Sequence, residues 1–153
     1  MISNPTAKRA VFASVTAILI LTVLEFPPPI GFESRPQSGV SPFWLLFFLA
    51  ILIVEVATVP LIYKRPNLGR AFGITAAFLN VAQVVADQTH LMQPEVAPLG
   101  YSLLEGTVVV VSIALALFSW MVKPERGLRS PPTKERLVSA KKITSEVNTY
   151  AKI

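Results

Sequence analysis

Four apolar stretches, at residues 10–26, 42–63, 68–91 and 98–122, constrain this chain more than any other feature. A helix rises about 1.5 Å per residue and needs about 20 residues to cross roughly 30 Å of hydrocarbon. Each stretch is close to that length. In lipid the backbone must satisfy its own hydrogen bonds, so a continuous apolar run of this length is read as a helix. Composition agrees: the 153 residues are 52% apolar and 15% charged, with mean hydropathy +0.57, against about 25% charge in soluble domains. The pattern predicts an all-α, four-helix transmembrane bundle over residues 1–122, followed by a basic tail at 123–153.

Local signals mark the helix ends. Ser41-Pro42 supplies an N-cap and a first-turn proline, Asn67 suits the cap of the third helix, and Pro98 suits the first turn of the fourth. Pro27 to Pro29 stop the first helix and Pro124 stops the fourth. Lys8 and Arg9 precede the first stretch as they would in a secretory signal. Glu25-Phe26-Pro27-Pro28-Pro29 at its far end has no small-x-small cleavage pattern, so an uncleaved anchor is expected.

Basic residues collect on alternate connections: Lys8 and Arg9, then Lys64, Arg65 and Arg70, then Lys123, Arg126 and Arg129. The other two loops carry Glu33 with Arg35, and His90 with Glu95. This asymmetry predicts that both termini are cytoplasmic, in a bacterial inner membrane or an organellar membrane. The net charge of +5 and pI of 9.8 arise from the asymmetry and the tail, so no nucleic-acid partner is expected. In the tail, Leu137, Ala140, Ile143, Val147 and Ala151 recur at helical spacing beside Lys134, Lys141 and Lys152. Residues 134–152 therefore read as a basic amphipathic helix for anionic lipid or a partner subunit.

The absence of cysteine excludes disulfides, thiolate metal sites and cysteine catalysis, and a single histidine leaves a poor metal set. No nucleophile elbow, phosphate loop or HExxH is present. The informative groups are those that lipid rejects, because an ionisable side chain near the bilayer centre costs at least about 2.5–3.5 kcal/mol. Glu55 and Glu105 are such groups. At about 100° per residue, Gly69, Gly73, Asn80, Gln83 and Asp87 of the third stretch share one arc with His90 at its edge, opposite Ile74, Phe78, Val81 and Val85. Gly69, Gly73 and Ala77, with Asn80, form a small-residue packing face.

Counting residues from the ends puts Gln83 level with Glu105, and Glu25 near Asp87 and His90. Glu25, Gln83, Asp87, His90 and Glu105 could relay protons, bind a cation or hydrogen-bond a quinone head group. The competing reading makes Glu25, Asp87 and His90 solvated interfacial groups, and Asn80 and Gln83 interhelical hydrogen bonders.

Residues 47–91, FFLAILIVEVATVPLIYKRPNLGRAFGITAAFLNVAQVVADQTHL, resemble the middle of the DoxX-like family of small four-helix membrane proteins. Glu55 matches that family's second-helix Glu, Lys64-Arg65 its basic turn, Ala76-Ala77 its Ala-rich third helix and His90 its polar residue near that helix's end. Val56-Ala57-Thr58-Val59-Pro60 stands where the family has a Gly-rich segment, and the tail has no counterpart in it. The resemblance implies association with membrane redox complexes, in some members as a small subunit of a quinone-reactive oxidoreductase.

These readings lead to an auxiliary, non-catalytic membrane subunit, with other integral-membrane subunits as partners and no cofactor bound by this chain alone. The alternative is a small transporter or proton conductor using Glu55 and Glu105. An enzyme acting on a lipid ranks third, for want of a nucleophile or metal set.

Overall fold

The computed structural model describes residues 4–26, 31, 41–92 and 95–123. Among them the regular structure is four helices: α1 (Asn4–Leu24), α2 (Pro42–Lys64), α3 (Pro66–Gln88) and α4 (Leu99–Met121). All four are long and apolar enough to cross a membrane, and their outward faces carry large apolar side chains such as Phe78, Leu103, Val110 and Leu117. The chain is a multi-pass membrane protein. The tail, the Pro27 to Pro29 stop and the loop with Glu33 and Arg35 lie outside the described residues.

Contacts at the two ends show an up-down-up-down order. At one end the Lys123 amide donates to Asn4 Oδ1 (3.0 Å), Lys8 Nζ stands 5.7 Å from the Tyr63 ring centre, and the Arg70 guanidinium lies 5.1 Å from that of Trp120. At the other end Phe26 meets Phe48 edge-on at 6.2 Å and Gln88 reaches Ser102. The cations of the described chain thus gather at a basic end. Glu25, Asp87, His90 and Glu95 mark an acidic end, where Phe43, Trp44 and Phe47 cluster on α2 as membrane-interface aromatics do.

Buried positions recur in alternating steps of four and three. On α4 they are Tyr101, Glu105, Val108, Ser112, Leu115 and Ser119, and on α2 they are Ile51, Glu55, Thr58 and Ile62. This seam spacing belongs to left-handed bundles. Helix α3 packs along both α2 and α4, and α4 also packs along α1. The apolar core of Val11, Val15, Ile18, Ile62, Ala76, Ala77 and Leu115 holds these seams together.

Small residues set the closest approaches. A Cβ at Gly69 would strike the α2 backbone at Leu61 and Ile62, and one at Gly73 would strike the Ser119 hydroxyl. Of the α3 residues read from the sequence, Gly69, Gly73, Ala77 and Asn80 are buried, while Phe78 is 78% exposed.

Several ends differ from the sequence reading. Helix α1 starts at Asn4 rather than Ala10, because charge at Lys8 and Arg9 does not interrupt a helix and Ala7 already packs inside. Asn67 is not a cap. Arg65 alone separates α2 from α3, since Pro66 disfavours the helical conformation in the residue before it. Pro98 occupies the N-cap position of α4 rather than its first turn. Ser41 is the N-cap of α2, although its side chain makes no capping hydrogen bond.

Helix α3 ends at Gln88, short of Leu91. His90 adopts φ 61°, its N–H donates to the Asp87 carbonyl (2.9 Å), and the Leu91 N–H donates to the Ala86 carbonyl (2.9 Å). A left-handed residue with these paired bonds terminates a helix.

Candidate functional site

Helix α3 receives one buried carboxyl from each neighbouring helix. Glu55 of α2 is 1% exposed, and its Oε1 accepts from Asn80 Nδ2. The same nitrogen donates to the Ala76 carbonyl (3.1 Å), which holds the amide in one orientation. Asn80 is itself buried. This pair is enclosed on every side and binds α2 to α3 through a polar contact that lipid cannot replace.

Glu105 of α4 is 2% exposed, and its surroundings differ. Gln88 Nε2 donates to Glu105 Oε2 and also to Ser102 Oγ (3.2 Å). The buried Asp87 forms a side-chain hydrogen bond with Glu105, and half-buried Glu25 is within electrostatic reach. Two carboxyl groups can share a hydrogen bond only when one proton lies between them. Gln88 is exposed, so this cluster is buried from lipid yet reaches the surface at the acidic end. Asn80 and Asp87 are seven residues apart on α3, which separates the two carboxyl sites by about 10 Å along the axis.

The sequence candidates divide accordingly. Glu105, Asp87 and Glu25 are brought together. Glu55 is apart from them, with Asn80 serving as its partner as well as a packing residue. Gln83 is half-buried, and the amide that reaches Glu105 is Gln88, more than one turn nearer the acidic end. The axial offset explains the difference: Gly73 faces Ser119 and Asp87 faces Glu105, two heptads apart on both helices. His90 is exposed on the turn after α3 and stands outside the buried cluster.

Sequence reasoning missed Gln88 and Ser102. Gln88 falls about 100° from Asp87 on the helical wheel and reaches Glu105 only through its length. Their signal was adjacency to a candidate acid on each helix. It also missed the heptad repeat of polar groups on α4, Glu105, Ser112 and Ser119. The last two hydroxyls are buried without a hydrogen-bond partner among the described residues. No three His, Cys, Asp or Glu side chains among the described residues are grouped to hold a metal ion. Comparison of the chain with family models, curated proteins and solved structures finds no significant match.

Proposed function

We propose that the protein handles protons within the membrane, with Glu105 as the exchanging group and Asp87 and Glu25 as its route to water at the acidic end. One observation carries the reading: a carboxyl buried from lipid shares a hydrogen bond with a second carboxyl and is roofed by an exposed amide. A purely structural acid needs one well-placed donor, as Glu55 has in Asn80. A chain of titratable groups from the interior to the surface is the arrangement that proton relays use. The Lys and Arg asymmetry supports a cytoplasmic basic end, with the Glu105 cluster toward the opposite face.

The test uses purified protein in vesicles loaded with a pH-sensitive dye, with an imposed proton gradient. Glu105→Gln should abolish flux while Glu55→Gln retains it. Flux that is the same in both variants and the parent would refute the relay.

A second reading, an auxiliary subunit without catalysis of its own, is favoured by Gly106. This exposed glycine in α4 has open space where a Cβ would lie, although glycine costs roughly 1 kcal/mol in a helix interior. Close approach by another subunit's helix would account for it. The resemblance to the DoxX-like family, with its implied quinone-linked complex, belongs to this reading. Recovery of a stoichiometric membrane partner in mild detergent supports it, and recovery of this chain alone counts against it.

A further inference from the structure

The α3–α4 seam carries a feature that the carboxyl cluster does not use. Between the two helices, on the lipid side, lies a cavity of about 400 Å³ whose lining includes Ala77, Val81, Val85, Ser112, Ala116 and Leu117. Apart from Ser112 at its inner wall, the lining is hydrocarbon, with no charged residue.

The cavity continues a stripe that begins at the basic end. On α3, Arg70 is followed on the same face by Ile74, Ala77, Val81 and Val85, at steps of four and three. On the antiparallel α4, Leu117 and Ile113 lie three and seven residues before Trp120, on its face. The Arg70 guanidinium carbon lies over the Trp120 ring, 5.1 Å from its centre. It has no carboxylate partner among the described residues, whose carboxylates all lie at the acidic end or, for Glu55, inside the bundle. A guanidinium held against a ring face still has N–H donors available for a bidentate phosphate contact.

We infer that one anionic phospholipid of the leaflet at the basic end seats its phosphate on Arg70 and lays an acyl chain in the α3–α4 cavity. The depths match. Ala77 lies about 10 Å and Val85 about 22 Å along the helix from Arg70, and one leaflet contributes about 15 Å of hydrocarbon. An acyl chain beginning at Arg70 therefore passes Ala77 and ends beside Val81. Charge complementarity selects the head group, and the uncharged lining selects the chain. A second copy of this protein would have to bring a phosphate-like anion against Arg70 from a surface whose described basic-end residues include no acid. The inference rests on the four helices being membrane spans and is independent of Glu105.

The chain contains two tryptophans, and Trp44 lies at the opposite end. In a Trp44→Phe background, Trp120 fluorescence reports on its lipid neighbours. Vesicles of phosphatidylcholine would carry equal fractions of acyl-brominated phosphatidylglycerol or acyl-brominated phosphatidylcholine. The expected result is an apparent affinity about fivefold higher for the brominated anionic lipid. Arg70→Gln should bring that ratio close to one, and Lys64→Gln, at the same end on α2, should leave it unchanged. Ala116→Phe should lower quenching by the anionic lipid by filling the cavity with Arg70 intact. Equal quenching by the two lipids in the parent would overturn the site. Equal loss in Arg70→Gln and Lys64→Gln would reduce it to a diffuse basic belt. Absence of quenching by either lipid in a cross-linkable dimer would assign the groove to a second copy.

Discussion

Removing the Asn80 amide isolates the energetic role of the enclosed carboxyl. In Asn80→Ala, Glu55 remains buried at 1% exposure and loses the Nδ2 donor that meets its Oε1. The Ala76 carbonyl also loses the bond from that nitrogen (3.1 Å), though it keeps its place in the helical ladder. An interhelical hydrogen bond in a membrane contributes about 0.6 kcal/mol on average and about 1.7 at most. A buried polar group left without a partner costs about 1–3 kcal/mol. The orphaned carboxyl therefore dominates, and Asn80→Ala should destabilise the bundle by about 2–3 kcal/mol.

Glu55→Gln keeps an oxygen acceptor of the same reach and should cost less than about 1 kcal/mol. In Glu55→Leu with Asn80→Leu both polar partners are gone, so the double variant should cost well under the sum of Glu55→Leu and Asn80→Leu made singly. The assay is reversible unfolding in mixed micelles, read as a double-mutant cycle. A coupling of about 1–2 kcal/mol is expected for residues in contact. Single effects that add to within about 0.5 kcal/mol would show that the pair stores no interaction and refute the proposed role of Asn80.

Two further outcomes test the packing and the topology. Gly73→Leu should cost at least about 3 kcal/mol or prevent assembly, because a side chain there meets Ser119 and Thr58, whereas Phe78→Leu on the exposed face should stay within about 0.5 kcal/mol. Equal losses of folded protein in the two variants would mean that the faces are reversed. Reporter fusions at Ile153 should give a cytoplasmic signal and insertions in the 32–39 loop an external one, and a cytoplasmic signal from the loop would refute the orientation.

Much of the architecture is legible residue by residue because lipid punishes polarity so strongly. The length of the four apolar stretches, the face of α3 that carries Gly69, Gly73, Ala77 and Asn80, and the burial of Glu55 and Glu105 all follow from local periodicity and transfer energy. Local boundaries were harder to read. The helix break at Arg65 depends on the steric demand of Pro66, and His90 closes α3 through backbone bonds that any residue tolerating a left-handed conformation could make. The tertiary structure alone decided which polar groups meet. Gln88 replaced Gln83 at Glu105, and Asn80 became the partner of Glu55, because the axial offset between helices is set by nonlocal contacts such as Gly69 on the Ile62 backbone and Gly73 on Ser119. A hydrophobic pattern repeats every turn and is nearly indifferent to a one-turn slide. A pair of buried hydrogen-bonding side chains is not, since moving one of them by a turn leaves both unsatisfied.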